Sequence, residues 1–144
     1  MFTIRAWTKF DISAIAGLER ECFPDAWTEE AWTAEFARAD VFGYVAERDG
    51  KVVGFSCGTA LFEDSEIWKV AVAESERSKG LGGALTDALL QTAKERGATR
   101  TFLEVRVGNR SAIGLYQSRG FERTRERKRY YADGEDALEM KKDL

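Results

Sequence analysis

A short basic segment rich in glycine stands between an apolar run, Val70-Ala71-Val72, and a long helical pattern. It reads Arg77-Ser78-Lys79-Gly80-Leu81-Gly82-Gly83. The first amides of a helix have no internal partners, and the helix dipole makes that end partly positive. Glycines let phosphate groups reach such amides, and two basic side chains add positive charge. The segment predicts a cradle for a diphosphate; the alternative is a helix that merely begins with glycines.

Two other phosphate-binding patterns do not fit this segment. The dinucleotide pattern G-x-G-x-x-G would require a glycine at position 85, where Leu85 stands. The segment also follows a fourth predicted strand rather than the first strand of a dinucleotide-binding βαβ unit. No G-K-[ST] of a P-loop is present.

The choice of acid–base groups is narrow because the chain has no histidine. Ser-His and Cys-His mechanisms are therefore excluded, and two cysteines without histidine make no metal-binding spacing. Proton transfer must use Asp, Glu, Tyr, Lys or Cys. Glu104 lies in a strand pattern, where it is either a functional carboxylate or a solvated charge. Tyr116 lies in a helical pattern, where it is either a functional phenol or a core aromatic residue.

The elements that must position these groups follow from periodicity and capping residues. Asp11, Thr28 and Asn109 are predicted N-caps, and Gly97 and Gly120 are predicted helix ends. Asp49-Gly50 predicts a hairpin turn. The predicted strands cover residues 1–7, 43–48, 51–59, 65–72, 101–107, 121–127 and 136–142, and the predicted helices cover 12–22, 28–36, 81–96 and 109–118. One domain, 1–144, with a mixed sheet and helices on both faces is the simplest packing.

Net charge, the length of the apolar runs and the number of cysteines limit the kinds of protein this chain can be. A net charge of −3 does not favour nucleic acid or an anionic membrane as a partner. No apolar run has the length of a membrane span, and the first residues lack a signal-peptide core, so we expect a cytoplasmic protein. Cys22 and Cys57 are expected to be reduced, mostly buried thiols. A basic run at 123–129 is expected to be the solvated face of a strand.

At this point the sequence resembles the GNAT acetyltransferases. The pattern Arg77-x-x-Gly80-x-Gly82 looks like the R/Q-x-x-G-x-G/A signature of that family. A second stretch carries the likeness downstream, from Leu103-Glu104-Val105-Arg106 to Asn109-x-x-Ala112-x-x-Leu115-Tyr116-x-x-x-Gly120-Phe121. Phe23-Pro24, Trp27-Thr28-Glu29, Tyr130-Tyr131 and Glu135-Asp136-Ala137 are similar to the RimI-type enzymes, which acetylate the N-terminal alanine of a small-subunit ribosomal protein.

The resemblance implies a fold and a site. The fold is a single α/β (α+β) GNAT-like domain. Its mixed, mostly antiparallel seven-stranded sheet is flanked by about four helices and splayed between the fourth and fifth strands. Acetyl-CoA would bind to Val70, Ala71, Val72, Arg77, Ser78, Lys79, Gly80, Leu81, Gly82, Gly83 and Asn109. Glu104 would accept a proton and Tyr116 would donate one, without a metal. Trp27, Tyr130 and Tyr131 would contact the acceptor.

The chemistry agrees with these implied roles. An α-amine has a pKa near 7.7–8.0, so a base must remove its proton before it attacks a thioester. The implied acceptor is a peptide or protein N-terminus, with a ribosomal protein as one candidate, and the chain is expected to be a monomer or a weak dimer. Acidic residues such as Glu21, Asp25 and Glu66 would favour an acceptor with a basic residue near its N-terminus. The alternatives are a small-molecule amine as acceptor and a non-catalytic acetyl-CoA sensor.

Overall fold

The computed structural model describes all residues, 1–144. The chain contains seven strands and four α-helices. The strands are β1 (Thr3–Ala6), β2 (Val41–Arg48), β3 (Lys51–Leu61), β4 (Asp64–Val72), β5 (Arg100–Arg106), β6 (Glu122–Arg127) and β7 (Ala137–Asp143). The α-helices are α1 (Ile12–Cys22), α2 (Glu29–Phe36), α3 (Leu81–Glu95) and α4 (Arg110–Ser118), and short 3-10 helices precede α1 and α3.

All seven strands form one open sheet in the order β1-β2-β3-β4-β5-β7-β6. Every neighbouring pair is antiparallel except β4 and β5, which run parallel. The parallel pair requires a crossover connection, and α3 supplies it. The predicted mixed, mostly antiparallel seven-stranded sheet is confirmed.

The sheet divides between β4 and β5. The two strands pair only from Asp64–Arg100 to Ile67–Leu103, whereas β4 stays paired with β3 as far as Val72. At Trp68 the register of β3 and β4 shifts, because Cys57 pairs with Lys69 while Gly58 pairs with Ile67. A bulge of this kind bends its strand. The second half of β4 therefore separates from β5 and leaves a gap in the sheet.

The two faces of the sheet are covered by different helices. On one face, Leu81 and Leu85 of α3 pack on Ala46 and Val53. The same face continues under α4, where Ile113 and Tyr116 join the largest cluster of core residues. On the other face, α1 and α2 contribute Ile15, Leu18 and Trp32, which pack on Val45, Phe55 and Cys57. Full burial of one such side chain stabilises the fold by about 1.5–3 kcal/mol.

The capping residues mostly act as predicted. Thr28 accepts a hydrogen bond from the Ala31 amide, and Asn109 from the Ala112 amide. Gly97 and Gly120 both have positive φ, as a left-handed helix end requires. The prediction for Asp11 is wrong in one respect, since its carboxylate does not cap α1. It is buried, and it accepts hydrogen bonds from Arg5 and from the Thr8 amide instead.

Candidate active site

A cleft of about 480 Å³ opens beside the start of α3, and we call it the cradle cleft. Of the residues predicted to bind a diphosphate-containing ligand, all but Lys79 line it. Residues that the sequence did not single out also line it: Cys22, Phe23, Glu76, Ser111, Ala112 and Leu115. The cradle cleft therefore combines the end of β4, the loop before α3 and the first turns of α3 and α4.

The loop before α3 turns sharply into the helix. Ser78 and Gly80 have φ values of 64° and 86°, both in the left-handed region. Ala84 donates a hydrogen bond to the Gly80 carbonyl at 3.1 Å. The amides before it lie at a helix N-terminus, where they lack internal acceptors and where the helix dipole favours an anion. This is the geometry of a phosphate site.

The first turn of α3 leaves different amounts of space at its two glycines. A Cβ built on Gly83 would meet the guanidinium of Arg119, the end of a flexible side chain that would have to move. A Cβ on Gly82 would lie 3.4 Å from Cδ2 of Leu115, which is ordinary contact. Gly82 therefore tolerates a methyl group, while any longer side chain there would extend toward the ligand space of the cradle cleft.

Charged side chains fix the loop at the mouth of the cradle cleft. Arg77 donates from Nε to the Val72 carbonyl at 3.1 Å. Glu76 forms ion pairs with Arg48 at 2.6 Å and with Lys79 at 3.6 Å. Lys79 is thus turned toward Glu76, which accounts for its absence from the lining. Arg77 is the basic side chain of the segment that lines the cleft itself.

Tyr116 lies on the wall of the cradle cleft and is 7% exposed. Its ring packs edge to face against Phe121 with centroids 5.7 Å apart. Burial raises the pKa of the Tyr116 phenol well above its usual value. The hydroxyl therefore keeps its proton at neutral and mildly alkaline pH, as a proton donor must.

A second cleft, of about 490 Å³, lies on the sheet face that carries α1 and α2, and we call it the Glu104 cleft. Trp27, Tyr130, Tyr131 and Glu104 all line it, so the structure brings the predicted base together with the predicted acceptor contacts. Glu66 of β4 lines it as well, whereas Asp25 and Glu21 do not. Further lining residues are Glu35, Arg38, Ile67, Trp68, Lys69, Phe102, Leu103, Arg127 and Glu139.

Glu104 stands in a strand pair that places two carboxylates side by side. It pairs directly with Glu139 across β5 and β7, a juxtaposition that is unfavourable for like charges. Arg127 compensates, with Nε 3.2 Å from Glu104 Oε1 and Nη2 3.4 Å from Glu139 Oε2. The other oxygen of Glu104 is buried from solvent and has no hydrogen-bond partner of normal geometry. The Tyr130 phenol interacts with the same carboxylate.

The sequence did not single out Arg127 as a site residue. It belongs to the basic run that was expected to be a solvated face, yet it lines the Glu104 cleft. Its neighbours Arg125 and Lys128 are 58% and 75% exposed, in agreement with that expectation. The alternation of side chains along β6 could have indicated the position of Arg127. Residues 125 and 127 lie on the same face of the strand, and that face also carries Glu139.

The two tyrosines of the β6–β7 loop form one wall of the Glu104 cleft. Their rings meet edge to face with centroids 5.0 Å apart. The Arg106 guanidinium lies 4.1 Å from the Tyr131 ring and is held by Asp133 and Glu135. Interaction with the Glu104 carboxylate, followed by partial burial, raises the pKa of Tyr130, and burial raises that of Tyr131 to about 12.

The two clefts lie on opposite sides of the gap between β4 and β5. Val70, Ala71 and Val72, beyond the last β4–β5 pair, line the cradle cleft. Ile67 and Leu103, which form that last pair, line the Glu104 cleft. Backbone groups of β4 that have no β5 partner are therefore available at the gap. An acyl group held at the gap can be approached by an acceptor from the Glu104 cleft while the carrier of the acyl group occupies the cradle cleft.

The structure offers no constellation for a metal, since no group of three or more potential Asp, Glu or Cys ligands converges. No helix combines the length and the apolar composition that a bilayer crossing requires. Proton transfer by side chains is the chemistry that this arrangement supports directly.

Comparison with known proteins agrees with this geometry. Residues 12–121 match the Acetyltransferase (GNAT) family. A proposed ribosomal protein bS18-alanine N-acetyltransferase of Bacillus subtilis is 36% identical over 133 residues, covering 90% of this chain and 87% of that protein. An N-alpha-acetyltransferase of Sulfurisphaera tokodaii is 32% identical over 152 residues, covering 96% of this chain and 91% of that protein.

A solved structure extends the likeness to three dimensions. The crystal structure of the ribosomal-protein-S18-alanine N-acetyltransferase from Escherichia coli superimposes with a TM-score of 0.91 at 28% identity. The match covers 100% of this chain and 94% of the other. The overall fold is therefore similar to that of an enzyme of known structure.

Proposed function

The chain belongs to the GNAT acetyltransferase family, and we propose that it transfers an acetyl group from acetyl-CoA to the N-terminal α-amine of a polypeptide. N-acetyltransferase activity itself follows from the family and from the relatives. The finer proposal is an N-terminal alanine of a small-subunit ribosomal protein as acceptor. The names of the Bacillus subtilis and Escherichia coli proteins support it.

The observation that carries the proposal is the pair of clefts on opposite sides of the β4–β5 gap. The cradle cleft suits the diphosphate and pantetheine of acetyl-CoA, because it joins a helix N-terminus, Arg77 and the unpaired edge of β4. The Glu104 cleft suits an amine, because it offers a carboxylate among aromatic walls. A thioester in the gap would face the amine, and its sulfur would face the cradle cleft.

We assign the proton transfers to Glu104 and Tyr116. The acceptor nitrogen attacks the thioester carbonyl carbon, so a C–N bond forms while the C–S bond breaks. Glu104 takes the proton from the amine, directly or through one water, and the tetrahedral oxyanion is stabilised by backbone amides of β4 near Val70. The leaving thiolate takes its proton from the phenol of Tyr116, and the tyrosinate regains a proton from solvent.

The composition of the Glu104 cleft supports a polypeptide as acceptor. Its aromatic lining, Trp27, Trp68, Tyr130 and Tyr131, offers contact area beyond what one amine requires. Glu66 is exposed in the same cleft and takes part in no ion pair within the chain, so it is available to a cationic group of an acceptor. Asn109 uses one amide oxygen as a cap, which leaves its NH₂ group for the pantetheine arm.

Mass spectrometry tests the proposal. The purified protein is incubated with acetyl-CoA and a peptide from the N-terminus of a small-subunit ribosomal protein, containing a free α-amine and one internal lysine. We expect one acetyl group, located on the α-amine. The matched control is the same peptide with its α-amine blocked, which should remain unmodified. Equal modification of the blocked peptide, or faster turnover of a panel of small amines, would contradict the proposal.

A further inference from the structure

A fully buried carboxylate lies beneath the wall of the Glu104 cleft. Glu19 of α1 is 0% exposed. Its Oε1 accepts a hydrogen bond from the Trp27 amide at 2.7 Å and one from the Trp32 indole at 2.9 Å. Burial of a carboxylate is costly unless the charge is paired and hydrogen-bonded. The proton transfers assigned above do not use Glu19, so its retention in the core requires another explanation.

The counter-charge comes from β4. Lys69 forms an ion pair with Oε2 of Glu19, and its side chain is 15% exposed at the edge of the Glu104 cleft. The same ammonium group lies 4.1 Å from the ring centroid of Trp27, within cation–π distance. Burial lowers the pKa of Lys69, and the adjacent carboxylate opposes that shift by favouring the charged form. Glu19 and Lys69 thus both contact Trp27, through its backbone and its ring.

Trp27 lies in the loop between α1 and α2, where no helix or strand fixes the backbone. Its indole packs against Trp32 with centroids 4.7 Å apart and against Trp68 at 5.8 Å. Trp27 and Trp68 line the Glu104 cleft together with the two tyrosines, and Trp32 supports them from the core. The position of this lining therefore depends on what holds the loop, and Glu19 is the side chain that bonds to the Trp27 amide.

We propose that Glu19 is a positioning residue for the acceptor: with Lys69 as its counter-ion, it fixes the Trp27 loop at the distance from β4 that acceptor binding requires. The inference rests on the proposed function in taking the Glu104 cleft as the acceptor site. It concerns the acceptor alone, because Glu19, Trp27 and Lys69 are all absent from the lining of the cradle cleft.

A different result is expected if the Glu19–Lys69 ion pair has a purely structural role. Buried ion pairs can often be replaced by apolar side chains of similar size with little loss of stability. If the pair only fills the core, any well-packed neutral replacement should leave acceptor binding unchanged. If it positions the loop, the replacement must also retain an acceptor for the Trp27 amide.

Two double variants separate these cases. Glu19→Gln with Lys69→Met removes both charges and keeps an amide oxygen that can accept from Trp27. Glu19→Met with Lys69→Met also removes both charges and leaves no acceptor. If the second variant does not fold, Glu19→Leu with Lys69→Leu provides another apolar filling for the same comparison. KM is measured for the acceptor peptide and for acetyl-CoA in each folded variant.

We expect the variant without an acceptor oxygen to raise KM for the peptide by roughly tenfold, as loss of one hydrogen bond to a positioned group would. KM for acetyl-CoA should stay unchanged in both variants. Both carry Lys69→Met, so the tenfold difference is expected between their two peptide KM values and reports the acceptor oxygen alone. Equal peptide KM values in the two variants, or a parallel rise in KM for acetyl-CoA, would overturn the proposal. If the wild-type protein acetylates only small amines, the proposed function fails, and the same comparison is made with the amine that it acetylates.

Discussion

The guanidinium of Arg127 lies between β6 and β5, with its Nε 3.2 Å from Oε1 of Glu104. The same side chain reaches Glu139, which pairs directly with Glu104 across the sheet. The proposed base is therefore one member of a charged group in which Arg127 contacts both carboxylates and Arg125 contacts Glu139 as well. The second oxygen of Glu104 takes no part in these contacts.

Replacing Arg127 with methionine should lower kcat/KM for the peptide. The change removes the side chain that contacts both Glu104 and Glu139, so two directly paired carboxylates would lose their shared partner. We expect kcat/KM for the peptide to fall about fivefold, the equivalent of roughly 1 kcal/mol, while the Kd for acetyl-CoA stays unchanged. Arg125→Met is the matched control, since Arg125 contacts only Glu139 and is more exposed. Identical kcat/KM values for the two variants would argue against a role for Arg127 beside Glu104.

Gly82→Asp should abolish binding of the coenzyme while the fold survives. The carboxylate would extend into the cradle cleft, where a diphosphate is expected to lie. Calorimetry should show at least a tenfold weaker Kd for acetyl-CoA, about 1.4 kcal/mol, and the ligand-induced rise in Tm should disappear. Gly82→Ala is the control, because its Cβ fits beside Leu115. Unchanged affinity in the aspartate variant would count against the cradle.

Tyr130→Ala should affect the acceptor and spare the coenzyme. Tyr130 lines the Glu104 cleft and is 50% exposed, so its removal takes away contact area without opening the core. We expect KM for the peptide to rise about tenfold with KM for acetyl-CoA constant, the pattern of lost acceptor contacts. Phe62→Ala, at an 81% exposed aromatic outside the cleft, provides the control. A rise in KM for acetyl-CoA alone would show that Tyr130 is not part of the acceptor site.

Tyr116→Phe should lower kcat and leave coenzyme binding intact. The ring keeps its packing against Phe121, so the fold should hold. The loss should be about tenfold, smaller than for removal of the base, because a free thiolate with a pKa near 8.5 is already a fair leaving group. Burial raises the pKa of this phenol, so wild-type kcat should not decline below pH 10 through its ionisation. Stopped-flow and calorimetric measurements would separate turnover from binding, and an unchanged kcat would exclude Tyr116 as the donor.

Local sequence features predicted much of the fold. Asp49-Gly50 adopts the positive φ values that the hairpin prediction requires, and Thr28 and Asn109 cap their helices. The cradle was also predictable, since its residues are contiguous and their order alone places a glycine-bearing turn at a helix start. Asp11 was the exception, because its buried carboxylate is held by the half-buried guanidinium of Arg5.

The Glu104 cleft was harder to foresee because its members meet through sheet pairing. Arg127 resembles its exposed neighbours in sequence, and only the β6–β7 and β5–β7 registers bring it to Glu104. Glu19 and Lys69 are 50 positions apart in an ordinary helix and strand. Their pairing depends on how α1 crosses β4, which periodicity does not specify. The bulge at Trp68, which opens the gap, likewise has no glycine or proline at that residue to signal it.

Replacement of Glu104 by glutamine tests the central claim, that an amine in one cleft is deprotonated by Glu104 and attacks a thioester held from the other. Glutamine keeps the size of the side chain and removes the base. We predict that kcat for peptide acetylation falls by roughly 10²–10⁴ while the Kd for acetyl-CoA is unchanged. Full kcat in this variant across neutral pH would contradict the account and would transfer the role of base to water or to Glu66.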